Sequence, residues 1–376
     1  MVSSYHLFTS EKFLYRKLKS DDFTDSNLFQ LYKRTRNASN NLYRKLKNEF
    51  YQRCCVECSK CPSRLWRVIR DVIGGGSARH NLTISVSELN SHFASLVSSG
   101  CGDVPLLVPE GPDEDNAFRN FSPVTVHFVK SLLLKLDVSK CGGPDNICTA
   151  ILKAASAVIA PSLCRLFNLL LQQGVVPRFF KSANITPIPK PNRDANIVEN
   201  YRAISLTSVL SKLLESIVRQ QLLDYCNKDN LFHDAQYGFR KGRSCEDVIL
   251  VCEKWRRARD QGKTVAVAFL DLSKAFDNVS HQRLLSKLKS HRILGTVLLW
   301  FADYLSERSQ RVTINGSSSN CAPVQKGVPQ GSVLGPTLFN VYVSHIPGVV
   351  HDTSAEVPSY AYDLTIFAID VTRPCH

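Results

Sequence analysis

The chain has 376 residues, 44% apolar and 21% charged, a make-up that supports at least one large core and excludes a disordered chain. Its 18 glycines and 17 prolines exclude collagen-like and low-complexity classes; the most apolar stretch, 150–171, is broken by Lys153, Pro161 and Arg165, so no membrane span is expected. The surplus of 47 Lys and Arg over 33 Asp and Glu gives +14, which points to a polyanionic partner, nucleic acid before an anionic membrane surface, with plain solubility as the alternative.

Residues 1–80 hold sixteen Lys and Arg against seven Asp and Glu, interleaved with Tyr5, Tyr15, Tyr32, Tyr43, Tyr51 and Trp66. That mixture suits phosphate contact plus base stacking, and equally an amphipathic helix with a solvated basic face. No charged-then-apolar leader opens the chain, so an intracellular protein, cytoplasmic or nuclear, is expected. Leu42, Leu46 and Phe50 recur at the spacing of one helical stripe, and a second helix over 65–73 stops at Gly74-Gly75-Gly76. Cys54, Cys55, Cys58 and Cys61, followed by Pro62, faintly suggest an iron–sulfur run. The fourth ligand is missing and the nearest histidine is His80, so surface thiols in a reduced compartment are expected rather than a metal site. The odd total of 13 cysteines argues against a disulfide framework. The expected organisation is a basic helical lead-in at 1–99, a Gly, Pro, Asp, Glu and Asn linker at 100–120, and a larger region at 121–376.

Beyond the linker, Ser122–Thr125 precedes a helix over 126–136, residues 142–146 form a turn, and a helix follows over about 148–173. The period then changes. Residues 264–272 read as a buried, valine-rich strand ending in an acid, 310–316 as one arm of a hairpin turning at Asn315-Gly316, 335–343 as an apolar helix, and 359–368 as another strand. No internal repeat is visible. The pattern predicts an α+β layer with carboxylates gathered on one sheet. An acid at the end of an apolar strand is costly unless solvated or bound to a cation. Asp271 is such a residue, with a strand-end turn acid as the plain alternative, and Asp363 is a second. Carboxylates from separate strands meeting at a sheet edge cradle Mg²⁺ in phosphoryl transfer. Between them, Gly327 and Gly331 allow close backbone approach and Pro329 and Gly331 hold Gln330. The residues thus point to metal-dependent phosphoryl or nucleotidyl transfer on nucleic acid.

At these positions the chain resembles the reverse transcriptases of non-LTR (LINE-type) retrotransposons. FLDLSKAFDNVSH, GVPQGSVLGPTLFN and SYAYDLTIFA look like that family's palm motifs; ITPIPKPNRDANIVENYRAISL, SKLLESIVRQQL and QYGFRKGRSCED look like its fingers motifs. SKCGGPDNI and SRLWRVIRDVIGG resemble segments upstream of these, all in the family's order over roughly residues 40 to 370. The resemblance implies a right-hand polymerase of α+β class, fingers and palm, with an antiparallel palm sheet packed on helices and a helical region before it. It implies an RNA-directed DNA polymerase that uses two Mg²⁺ ions, an RNA template, a DNA primer and dNTPs. Carried onto this sequence, Asp271 is the metal ligand of the first palm motif. Phe276 packs under the incoming sugar, or is a core aromatic. Gln330 lines the nucleotide pocket. Arg202 and Arg240 contact triphosphate and template, or form a solvated basic face. Asp277 and His281 cap and brace the helix after the metal-binding strand.

The departures carry as much weight. Where the family has Tyr-Ala-Asp-Asp, this chain has Tyr360-Ala361-Tyr362-Asp363. Tyr362 therefore stands at the family's second metal-ligand position and leaves Asp363 as the remaining carboxylate. A phenol is neutral at pH 7 and larger than a carboxylate. Losing a bridging ligand costs several kcal/mol at the transition state, on the order of a thousandfold in rate. Ala203 for a usual proline and Asn146 for a turn glycine are mild changes, since asparagine tolerates a left-handed backbone. The chain closes at His376 soon after the third palm motif, so the thumb is expected to be absent. No endonuclease-like region precedes Met1. A fragment of a retroelement polyprotein is expected, either a polymerase domain of low or absent activity or a catalytically inactive remnant that only binds nucleic acid.

Overall fold

In the computed structural model the chain divides after Asn81 into two units, 1–81 and 82–376. The structure describes residues 13–17, 19, 25–58, 84–98, 116–140, 142–350, 355–361 and 363–369. The expected helix over 65–73, Cys61, most of the expected linker and Tyr362 lie outside the described residues.

In the first unit, helix α1 (Ser26–Cys58) is 33 residues long. Asp25 caps it, its Oδ1 accepting from the Asn27 and Leu28 amides at 2.9 and 3.0 Å. The stripe of Leu42, Leu46 and Phe50 lies on this helix, with Leu46 and Phe50 exposed.

The second unit is α+β. It begins with α2 (Val86–Ser98), which the composition grouped with the lead-in. The buried face of α2, Leu89 and Phe93, packs instead with Ala183, Ile185 and Val312 of a mixed sheet. Helix α3 (Val126–Leu134) starts at Thr125, whose hydroxyl accepts from the Phe128 amide. The long helix expected over 148–173 is interrupted at Ala155 into α4 (Thr149–Ala154) and α5 (Ser156–Gln173). Gly174 then ends it in a left-handed conformation. Strands β1 (Ser182–Pro189) and β2 (Tyr201–Thr207) form an antiparallel pair. They are followed by α6 (Val209–Lys228), α7 (Cys245–Asp260), β3 (Val265–Asp271), α8 (His281–Ser290) and α9 (Gly295–Leu305). The chain continues through β4 (Arg308–Ile314), β5 (Ser317–Ser318), β6 (Ala322–Val324), α10 (Gly335–Val343), β7 (Ala355–Glu356), β8 (Ser359–Tyr360) and β9 (Asp363–Ile369).

These strands make two sheets. The first has the order β2-β1-β4-β5, with β6 also on β4; its β1–β4 pair is parallel and the rest antiparallel. The second, β3-β9-β7 with β8 also on β9, is wholly antiparallel. Asn315 and Gly316, at φ 48° and 85°, make the two-residue hairpin turn that the sequence signals. The strand 359–368 is in fact two strands folded back on each other, with Tyr360 paired to Asp363. A second expectation fails: β3 is not buried. It is the edge of its sheet, and residues 266–271 are exposed. No helix among the described residues is long and apolar enough to cross a membrane.

The main core gathers on α9. Trp300 is fully buried, stacked on Tyr304 at 5.2 Å and edge-on to Phe301 and Phe121. Beside it lies a buried charge. Glu215 of α6 accepts from the amides of Val333 and Leu334 at 2.7 and 3.2 Å and from the Ser211 hydroxyl at 3.1 Å. Its countercharge is Arg308, itself buried, which lies over the Tyr304 ring and donates to the Tyr304 carbonyl. Burial pushes the Glu215 carboxyl above its ordinary value, and Arg308 opposes that shift.

Removing the carboxyl strands both amides and Arg308, so Glu215→Ala should cost about 3–5 kcal/mol in chemical denaturation, and Glu215→Gln clearly less. A raised carboxyl binds its proton more tightly folded than unfolded. The stability that Glu215 contributes is therefore present below the unfolded-state value and declines as pH rises through the folded one. Glu215→Gln should lack that component of the pH–stability curve.

Candidate active site

The antiparallel register of β3 and β9 sets Asp271 directly opposite Asp363. Asp271 closes one strand and Asp363 opens the next, immediately after a tight turn in which Ala361 takes a left-handed φ of 56°. Loss of solvent first, and the charge of Asp271 second, raise the Asp363 carboxyl above its ordinary value. A cation between the two would relieve that repulsion.

The turn is clamped from behind by the segment 235–238. The Tyr237 amide donates to the Ser359 carbonyl, and the Ser359 amide to the Ala235 carbonyl, both at 2.8 Å. Asn340 of α10 donates to the Gly238 carbonyl at 2.9 Å. A Cβ on Gly238 would collide with the Ala361 nitrogen, so no other residue fits that crossing.

The loop 327–334 forms the facing wall. Gly327 and Gly331 both have positive φ, at 86° and 116°; a Cβ on Gly331 would meet the Ser205 carbonyl at 2.7 Å. The Gln330 carbonyl accepts from the Ser205 amide at 2.7 Å, which ties the loop to β2. On its other side the Gly327 amide donates to Val279, the Val328 amide to Phe276, and His281 Nε2 to the Gly327 carbonyl. His281 thus braces this loop. The cap of α8 is Ser280, not Asp277. Asp277 is half-buried between the two walls, its carboxyl raised by burial, with Lys274 and Lys326 opposing.

Between the walls lies a cleft of about 310 Å³. It brings together four of the residues expected from sequence: Asp271, Phe276, Gln330 and Arg202. Asp363 stands beside them across the ladder. Phe276 lines the cleft and also stacks on buried Phe339 at 5.1 Å. Arg240 is elsewhere. It donates to the carbonyls of His233 and Gln236, lies against the Phe232 ring, and lines a separate cleft with Arg219 and Lys241.

Three cleft residues escaped the sequence reading. Lys190 ends the β1–β2 hairpin and donates to the Glu199 carbonyl; Lys274 sits in a left-handed conformation after β3; His92 comes from α2. Loss of solvent lowers the His92 pKa, with Glu199 opposing and Lys274 and Lys190 reinforcing the shift. The lysines lie within recognisable motifs, but it is the fold that sets Lys190 on the same cleft as Asp271. Among the described residues no group of three or more His, Cys, Asp or Glu gathers as a metal cage; the carboxylates that the ladder sets opposite each other are Asp271 and Asp363. That pair fits one hard cation with water completing its shell better than it fits two.

Residues 188–372 match the family described as reverse transcriptase (RNA-dependent DNA polymerase). Residues 188–372 are a reverse transcriptase domain. It is 34% identical over 226 residues to the probable RNA-directed DNA polymerase from transposon BS of Drosophila melanogaster, covering 60% of this chain and 25% of that one. It is 33% identical over 251 residues to the RNA-directed DNA polymerase from mobile element jockey of the same species, covering 66% and 27%. The Pol polyprotein of the type-2 retrotransposable element R2DM, also from Drosophila melanogaster, is 29% identical over 248 residues, covering 62% and 22%. These relatives belong to non-LTR retrotransposons, and this reverse transcriptase domain is of their type. The chain spans about a quarter of their length.

A divalent cation held by the Asp271–Asp363 pair would compete with protons for it. Mn²⁺ binding, followed by electron paramagnetic resonance, should weaken as pH falls towards the raised Asp363 value. Asp363→Asn should bind more weakly at every pH and show a flatter profile. Equal pH profiles for the two proteins would remove this pair as the cation site.

Proposed function

We propose that this domain is built for RNA-directed DNA synthesis, with dNTPs added to a DNA primer on an RNA template, and that Tyr362 curtails the reaction. The observation that carries the reading is the cross-strand pair Asp271–Asp363 beside a cleft that also holds Arg202, Lys190, Lys274, Phe276 and Gln330. A divalent cation on the two carboxylates would supply Lewis-acid stabilisation to a transferring phosphoryl group. The chain's own side chains do the rest. Arg202, Lys190 and Lys274 attract and orient a triphosphate, the Phe276 ring supports the sugar, and Gln330 borders the nucleotide with its backbone pinned to Ser205. The basic residues of 1–80 add phosphate contacts along the nucleic acid.

Tyr362 favours the second reading, a remnant that binds nucleic acid without copying it. The reverse transcriptases that the sequence resembles bring a further carboxylate to that place. Here the described residues supply the Asp271–Asp363 pair and no larger cluster. Two Mg²⁺ ions would then be held poorly.

Template-primed dNTP incorporation with Mg²⁺ separates these readings. The unmodified chain should incorporate little, and Tyr362→Asp on the order of a thousandfold more. Robust synthesis by the unmodified chain would end the idea that Tyr362 limits the site. Independently, affinity for RNA should fall steeply and log-linearly with salt; a flat response would remove the basic surface as the binding element.

A further inference from the structure

Helix α2 lies upstream of the matched residues 188–372, yet it forms part of the cleft. Leu89 and Phe93, one turn apart, are buried with the mixed sheet. His92 and Leu96, also one turn apart, flank that buried pair and line the cleft together with Phe93. The His92 ring is half-buried and edge-on to Phe93 at 5.7 Å, and neither ring nitrogen hydrogen-bonds to a described residue. Two elements bring charge to it. The β1–β2 hairpin supplies Lys190 and Glu199, and the turn after β3 supplies Lys274. Tyr201 and Arg202 of β2, Asp271 at the end of β3 and Asp277 complete the titratable lining, and Glu88 lies one turn back on α2 itself. Of these, Glu199, Lys274 and Lys190 are the groups whose charge acts on the imidazole.

We propose that His92 is a further contact for the polyphosphate of a nucleoside triphosphate and takes up a proton as that anion binds, so that binding in this cleft is coupled to pH; this rests on the reading of the cleft given under the proposed function. In the free protein, loss of solvent and both lysines favour the neutral ring, and Glu199 opposes them. A polyphosphate reverses the sign of that local field. Its oxygens neutralise Lys190, Lys274 and Arg202 and add negative charge beside a ring whose nitrogens are unengaged. Both changes favour the imidazolium, which gains a second N–H to donate to a phosphate oxygen. Lysine and arginine stay charged across the physiological range and hold a phosphate without sensing acidity. A histidine beside them supplies the group that titrates near neutrality. The bound state carries more protons than the free one, so affinity rises as pH falls.

Inorganic tripolyphosphate, without divalent cation, is the probe. Titration calorimetry of the whole chain in buffers of different ionisation enthalpy should give a proton uptake near neutral pH that His92→Gln lacks, with far-UV circular dichroism confirming that the variant folds. The ligand's own protonation is common to both proteins and cancels in the comparison. From mildly acidic to mildly basic pH, the affinity of the unmodified chain should fall on the order of tenfold more than that of the variant. Histidine-ring NMR gives a second readout: the resonance missing from His92→Gln should titrate at higher pH with tripolyphosphate than without it. Binding that Lys190→Ala weakens, with equal proton uptake by the unmodified chain and His92→Gln, overturns the proposal and leaves the reading of the cleft standing. No binding, or binding indifferent to Lys190→Ala, overturns that reading and this proposal with it.

Discussion

The position of the site depends on a buried carboxyl. Glu215 is the point at which α6, the loop 327–334 and the start of α10 are joined, because its Oε2 takes the amides of both Val333 and Leu334 just before the helix. Arg308 brings β4 to the same point and lies against Tyr304, which stacks on Trp300. The facing wall of the cleft is thereby referred to the centre of the core rather than left as a surface loop. Gln330 lies a few residues upstream of that anchor, and Phe339, on which Phe276 stacks, a few residues downstream. A polar tie costs more to bury than an apolar contact. It also has direction, and direction is what a loop of mixed glycines and small residues otherwise lacks.

The cleft is organised by charge. Asp271 and Asp363 are held opposite each other by the ladder whether or not anything neutralises them; loss of solvent first, and the Asp271 charge second, raise the Asp363 carboxyl. Across the cleft, cations come from β2, from the end of the β1–β2 hairpin and from the turn after β3. The overall surplus of +14 thus has a local counterpart facing the acids.

Much of this was legible in the sequence wherever a short-range rule fixes the geometry. Asn315-Gly316 makes its predicted turn, α10 lies where the apolar periodicity places it, and Gly327 and Gly331 meet the backbone contacts that their positions suggested. Asn146 takes the left-handed conformation expected of a residue replacing glycine. What the sequence could not supply is set by distant neighbours. The valine-rich run 265–271 has the composition of a buried strand, yet its burial depends on what covers the sheet. Arg240 and Arg202 look alike in sequence, and only the carbonyls of His233 and Gln236 decide that the first serves its own turn. Asp277 looked like a cap because it precedes a helix, but Ser280 is three residues nearer and has the smaller side chain. Glu215 gave no signal at all, being one acid in an amphipathic helix. Lys190 joins Asp271 on one cleft only when two sheets are brought together.

The crossing of Gly238 over Ala361 ties two parts of the molecule that the motifs treat as separate. Two backbones this close behave as a single mechanical piece, so the turn before Asp363 cannot shift without carrying Tyr237 and Phe239 with it. Phe239 in turn touches Phe276, whose carbonyl holds Val328. A small displacement at the carboxylate hairpin is therefore passed around a closed loop of contacts and returns as a displacement of the opposite wall. The width of the cleft and the placement of its acid are in this sense one variable, and a substitution on the fingers-like turn can alter the chemistry of a residue more than a hundred positions away.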